Sequence, residues 1–305
     1  MSDSSFQKLT PQIFDRKAQR NHRDRAAQGL ANHDFLFRLS AERLTDRLLD
    51  IKRQFPRVLD LGCRGGNIAE ALAVGPDFGM TVLIQADASS AMAARARQTY
   101  SHPTVVCDEE ALPFRNESFD LVLSNLSLHW VNDLPGSLIQ IRQSLRPDGL
   151  FCASLFGAGT LSELRDVLLE AEMDLKSGAS LRTSPFAEVR DLGGLLQRAG
   201  FSLPVVDTDK VIVTFADIFQ LMTDLRGMGE TNAIFDRQRK FTSREIFAKA
   251  AALYAERYGT ADGRIPASFH IITLTAWTPH VDQPKPLRRG SASASLAKAL
   301  GGRTT

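Results

Sequence analysis

Five short apolar runs separated by helical candidates constrain this chain more than any other feature. RVLDL (57–61), TVLIQAD (81–87), TVVCD (104–108), FDLVLSN (119–125) and GLFCASLF (149–156) are rich in β-branched or aromatic residues. Runs of this kind suit strands buried on both faces. Between them, 68–74, 90–99 and 134–145 read as helices, the last closed by the turn signal Arg146-Pro147-Asp148-Gly149. Strict strand–helix alternation builds right-handed βαβ units, so the expected fold is α/β with a parallel, doubly wound sheet.

The flanks read differently. Residues 14–51 form a helical stretch, with Phe35, Leu36, Leu39, Leu44, Leu48 and Leu49 at spacings of three and four among charges, stopped by Pro56. After the core, 161–176 and 188–199 read as helices, with Gly200 in the position of a C-cap. Residues 201–215 and 269–277 read as strands that enclose two amphipathic helices, 216–228 and 243–258, and the loop GMGETNA (227–233). The ending from Val281 is rich in Pro, Ser, Gly and basic residues, the composition of a flexible tail. The expected organisation is an N-terminal helical lid (1–55), a main domain (56–280) with a helical insertion at about 216–260, and a basic tail (281–305).

Composition excludes several classes. No run of about 20 apolar residues exists, so no membrane span is expected. The N-terminus has no apolar segment of a signal peptide, and Asp3, Asp15 and Asp24 disfavour a cleaved mitochondrial presequence. Cys63, Cys107 and Cys152 are far apart and odd in number, which fits reduced core thiols and a cytoplasmic setting rather than a disulfide or zinc framework. Residues 1–57 hold 12 basic and 7 acidic side chains, and 281–305 hold 5 and 1. Acids are interspersed and aromatics are not, so solvated faces and a tail account for this better than nucleic-acid binding.

The turn after the first strand, Gly62-Cys63-Arg64-Gly65-Gly66, presents backbone N–H groups beside a helix N-terminus. Its glycine spacing departs from the G-x-G-x-x-G of dinucleotide folds, and Asp60 would repel a diphosphate; a cationic ligand suits it better. Asp87 ends the second strand, where an acid accepts ribose hydroxyls, and Asp108 ends the third, where a carboxylate or its neighbours meet an adenine amino group. Acids at three successive strand ends mark the edge where doubly wound folds bind ligands.

With these residues in place, VLDLGCRGG, QADASSAMAARAR, DEEALPFRNESFDLVLSNLSLHWVNDLP and LRPDGLF resemble the motif series of class I S-adenosylmethionine-dependent methyltransferases, over roughly 55–156. The resemblance implies a Rossmann-like methyltransferase fold. It implies S-adenosyl-L-methionine as cofactor, with Asp60, Gly62, Cys63 and Gly66 around the methionine moiety and Asp87 and Met92 near the ribose and adenine. Asp108 and Glu109 would lie at the adenine edge, and Asn125 at the floor near the sulfonium. IFDRKAQRNHRDRAA (13–27), SNLSLHWVNDLPG (124–136), LRGMGETNA (225–233) and LTAWTPHVDQPKPLRRGSA (274–292) resemble a narrower branch, that of the mitochondrial respiratory complex I assembly factor, whose family hydroxylates an arginine of a complex I subunit. This implies a protein substrate, such as a complex I subunit; with no presequence read, the expected place is the bacterial cytosol, or the mitochondrial matrix if the source is eukaryotic. Two rivals are a malonyl-carrier-protein O-methyltransferase of biotin synthesis, which shares the LHW-type segment, and a non-catalytic assembly chaperone.

Arg64 stands where such loops carry their middle glycine. A positive φ there would cost an arginine about 1 kcal/mol, unless Gly65 takes the strain. An inward guanidinium would repel a sulfonium or grip the cofactor carboxylate; an outward one would leave the site open. Ser124-Asn125-Leu126-Ser127 lacks the Asn/Asp-Pro-Pro-aromatic element of amide- and base-methylating relatives. No nucleophile motif and no H-E-x-x-H or C-x-x-C metal-ligand motif is present, so the catalytic residues are not legible. His129 and Trp130 would lie at the pocket edge, and the cluster Asp15, Arg16, Lys17, Arg20, His22, Arg23, Asp24 and Arg25 would close as a lid or form an ordinary charged helix face.

Overall fold

The computed structural model describes residues 12–176, 178–186 and 188–284. Most of the tail expected over 281–305 lies outside the described residues. A seven-stranded sheet runs in the order β3-β2-β1-β4-β5-β7-β6. Its strands are β1 (Arg57–Leu61), β2 (Val82–Asp87), β3 (Thr104–Val106), β4 (Phe119–Asn125), β5 (Leu145–Phe156), β6 (Ser202–Phe215) and β7 (Ile265–Trp277). The first five are parallel, while β7 enters between β5 and β6 and is antiparallel to both. The sheet is therefore a mixed seven-stranded one, and its parallel part is the five strands read from the sequence. β5 begins earlier than expected: the Arg146–Gly149 turn is absorbed as a register shift opposite Phe119/Leu121, with Asp148 at φ 59°.

Helices cover both faces because every residue of β4 is buried and cannot face water. On one face α2 (Phe35–Leu49) and α3 (Asn67–Val74) pack Leu44, Leu48, Ile68 and Leu72 on Val58, Leu121 and Leu150. On the other, α5 (Leu134–Ser144) and α7 (Val189–Arg198) bring Leu138, Ile141, Leu192 and Leu196 onto Val122, Phe151 and Leu274. α4 (Ser90–Tyr100) is capped by Ser89 Oγ, which accepts Met92 N–H at 3.1 Å.

The N-terminal stretch is two helices rather than one. α1 (Arg16–Ala26), capped by Asp15, ends before Gly29, and a short 3-10 turn, Leu30–Asn32, leads into α2. Gly29 and Asn32 are poor helix formers, and the break lets α1 cross the strand ends while α2 lies along the sheet. A third apolar cluster caps those ends. α6 (Ser162–Leu175), α8 (Ile218–Gly227) and α9 (Arg244–Tyr258) pack Leu164, Val167, Leu221, Ile246 and Tyr254 against Phe269 and Ile271 of β7. Both α8 and α9 fall between β6 and β7 in the chain, where the helical insertion is expected.

Candidate active site

The loop from β1 to α3 is shaped by its glycines and by one arginine. Gly62 and Cys63 donate backbone N–H groups to Ala86 O at 2.7 and 2.9 Å, folding the chain over the end of β2. Gly62 and Gly66 lie at φ 75° and 91°. A Cβ at the first would collide with Ser127 Oγ, and at the second with the Tyr100 ring. Arg64 is also left-handed, at φ 49°, and Gly65 does not take that conformation in its place; the cost is about 1 kcal/mol.

That strain is offset by what the arginine reaches. Its N–H donates to Asp87 Oδ2 at 2.9 Å, and its guanidinium donates to Leu126 O at 2.6 Å, to Met228 O at 3.3 Å and to Glu230 Oε1. The guanidinium also lies 4.1 Å from the Phe37 ring centroid. Arg64 thus points inward and is 1% exposed, with its charge met by Glu230. Glu230 is fixed further by Trp130 Nε1–H at 2.9 Å and by His129 Nε2 at 3.1 Å. Burial alone would raise its pKa, but the Arg64 charge and then His129 hold it at about 2. Burial pushes His129 down despite Glu230, so the ring is neutral near neutrality, and its Nδ1 has no hydrogen-bond partner.

The strand-end acids converge beside this loop. Asp60 is fully buried, and neither carboxylate oxygen has a hydrogen-bond partner within 3.5 Å; burial and then the Asp87 charge push its pKa up to about 8, with the neighbouring Gln85 amide acting weakly the other way. Asp87 Oδ1 accepts Ser89 N–H at 2.8 Å, and Arg23 Nη1 approaches it at 3.3 Å. Glu109 Oε1 accepts Ser127 Oγ–H at 2.8 Å and Arg23 at 3.3 Å, while Oε2 meets Arg16. Against desolvation, Arg16 and then Arg23 hold Glu109 at about 2. Asp108 sits on the rim, 28% exposed in its side chain, and pairs with Arg16 at 2.7 Å.

Of the residues read from the sequence, Asp60, Gly62, Cys63, Gly66, Asp87, Asp108 and Glu109 surround one region at the C-terminal ends of β1 to β3. Burial raises the Cys63 thiol well above its ordinary value, so Cys63 is a packing group there. Met92 is a fully buried core residue of α4. The Asn125 amide is engaged, donating to Phe37 O at 2.8 Å and accepting Ser154 Oγ–H at 3.0 Å, so it holds α2 to the sheet. The charged cluster before α2 splits in two. Arg16, Gln19 and Arg23 share the inward face of α1, and the Gln19 amide is fully buried without a partner. Ser127 and Glu230 are additions that sequence reading did not single out; the nearest signal was the loop GMGETNA, whose second glycine, Gly229, directly precedes Glu230. Among the described residues no group of three or more His, Cys, Asp or Glu is placed to hold a metal ion.

Residues 59–153 match the methyltransferase domain family. The chain superposes on Haemonchus contortus phosphoethanolamine N-methyltransferase 2 with a TM-score of 0.54 at 18% identity, covering 86% of this chain and 60% of that one. Fold and domain match define a protein with the class I methyltransferase fold. Over 289 residues it is 43% identical to the mitochondrial arginine-hydroxylase NDUFAF5 of Danio rerio, spanning 93% of this chain and 88% of that protein. It is 34% identical over 270 residues to the malonyl-[acyl-carrier protein] O-methyltransferase of Xylella fastidiosa, with 88% and 89% covered. The chain belongs to the NDUFAF5 arginine-hydroxylase family, which stands beside the malonyl-carrier-protein enzymes as the nearer of the two relationships.

Proposed function

We propose that this enzyme binds S-adenosylmethionine at the ends of β1 to β3 and modifies an arginine of a protein partner during assembly of respiratory complex I. The single observation that carries the cofactor reading is Asp60: a buried carboxylate with two unpartnered oxygens beside a glycine loop fits a ligand that brings positive charge. The glycine loop fits as well, since Gly62 and Gly66 at positive φ fold it over the end of β2 beside the N-terminus of α3. When bound, the cofactor supplies an activated sulfonium centre. In this reading Asp60 faces its cationic end, Asp87 takes the ribose hydroxyls, Asp108 and Glu109 face the adenine edge, and Cys63, Met92 and Asn125 form the walls. Arg16 and Arg23 of α1 lie on these same acids, so α1 is the lid over the cofactor.

Arginine as the acceptor rests on membership of a family whose named relatives are arginine hydroxylases. A bacterial cytosol or a mitochondrial matrix suits this activity, and no helix among the described residues is long and apolar enough to cross a membrane. The test is intact-mass and peptide mass spectrometry of the co-purified partner. One added oxygen on an arginine supports the hydroxylase reading; one added methyl on that arginine makes the reaction a methylation. Carboxyl methylation of a malonylated carrier protein would overturn both. For the cofactor, Asp87→Ala should weaken binding by at least tenfold in calorimetry while the circular dichroism is unchanged, and equal affinity would remove Asp87 from the site.

A further inference from the structure

Beside Glu230 lies a cavity of about 210 Å³ that none of the acids described above lines, apart from Glu230 itself. Its walls carry the aromatic side chains of Trp130, Phe156, Phe186, Phe247 and Phe269. The volume is below the roughly 300–1,000 Å³ of sites that enclose whole small ligands, so it is sized for a single side chain. It sits at the ends of β4 and β5, directly beyond the loop that carries Arg64, because Glu230 touches both. A second cavity shares Leu168, Arg182, Thr183, Ser184 and Phe186 with it and continues outward over Ile13, Leu169, Leu181, Pro185 and Ile234. Ile13, Leu169 and Leu181 are exposed apolar side chains on that path.

We propose that the inner cavity is the acceptor site, that it takes the guanidinium-bearing side chain of a polypeptide arginine with Glu230 at its anionic end, and that the outer groove beds the apolar residues flanking that arginine. The acceptor's identity rests on the family reading above; the location does not. Hydrogen-bonding capacity favours a donor here. Glu230 is ionised, and of its four lone-pair directions three are used, by Arg64, His129 and Trp130, which leaves one on Oε1 for an incoming donor. The aromatic faces suit a planar guanidinium. The two arginines on the lining do not oppose this. Arg182 is matched by Glu172, to which it donates at 2.8 and 3.1 Å, and Arg226 is on an exposed position of α8 at the rim. An acceptor carboxylate, as on a malonyl group, would instead be desolvated against Glu230.

The experiment uses the full chain with saturating S-adenosylhomocysteine and two capped nonapeptides, one with a central arginine between leucines and one with citrulline in its place. Fluorescence anisotropy should show the arginine peptide bound at least tenfold more tightly. Met222→Trp, which fills the cavity from α8 away from the ion pairs, should abolish that binding while calorimetric affinity for S-adenosylhomocysteine and the melting temperature stay unchanged. Glu230→Gln should erase the preference for arginine over citrulline. Equal affinity for the two peptides, no binding of either, or full binding by a folded Met222→Trp protein each overturns the proposal. Failure of the wild-type chain to bind S-adenosylhomocysteine would instead overturn the cofactor reading, and leaves the peptide comparison standing as its own measurement.

Discussion

Asp60 is the residue whose protonation should report on the site. Its folded pKa is raised to about 8 from an ordinary carboxyl value of 3.8. A raised folded value stabilises the fold fully below about pH 4, and that contribution is lost as pH rises toward about 8. A cation arriving beside the carboxylate favours its ionised form, so cofactor binding at about pH 7 should release a proton, and the release should vanish above about pH 8. Calorimetry in two buffers of different ionisation enthalpy measures this directly; identical heats would detach Asp60 from the cofactor. Asp60, Asp87 and Asp108 were legible because each ends, or nearly ends, an apolar run, a place where a carboxylate must have a reason. Glu230 was not, since a loop acid has no periodicity to betray that it is buried, and neither was the inward turn of Arg64, which depends on Glu230 being there to receive it.

Elements were legible where burial gives a pattern. The five parallel strands and the helices between them coincide with the apolar runs to within a few residues, because a strand covered on both faces can only be written in apolar side chains. Pairing partners are not written that way, and nothing in the alternation of 269–277 says that β7 inserts between β5 and β6. α1 is the hardest case: its buried positions include Gln19 and Arg23, so an interior face reads as a solvated one. Arg23 is 0% exposed and is the buried counter-charge of Asp87 and Glu109. Removing one partner of a buried charge network costs about 3–5 kcal/mol. Arg23→Ala should therefore lower the unfolding free energy in urea by about that amount, whereas Lys17→Ala on the exposed outer side of the same helix should change it by less than about 0.5 kcal/mol. Equal effects would mean that α1 does not rest on the acids.

At the scale of the whole molecule, the N-terminal helix, the cofactor loop and the late cap meet over the ends of β1 to β4. Arg16 and Arg23 reach from α1 to the acids, Arg64 reaches from the loop to Glu230, and Asp15 accepts from Arg237 at 3.0 Å. A ligand bound among these contacts is linked to the global fold, so S-adenosylhomocysteine at a hundred times its dissociation constant should add about 2.7 kcal/mol to stability. Differential scanning calorimetry should register this as a shift of about 4 °C for a chain of this size. Hydrogen exchange should slow in α1 and in 226–234 together; slowing in one without the other would mean that the two do not close as a unit.

The span of those contacts also bears on how the chain comes to be made. α1 leaves the ribosome before any of its partners exist, and the pairing of Asp15 with Arg237 waits for 222 more residues. Until then a helix with three buried-to-be polar groups, Arg16, Gln19 and Arg23, has no acids to receive it and no apolar face strong enough to dock early. The sheet can assemble without it, strand by strand, from β1 onward. α1 is therefore made before the acids it rests on and docks after them, and during synthesis the acid-lined edge of the nascent sheet stands open to any other cation in reach.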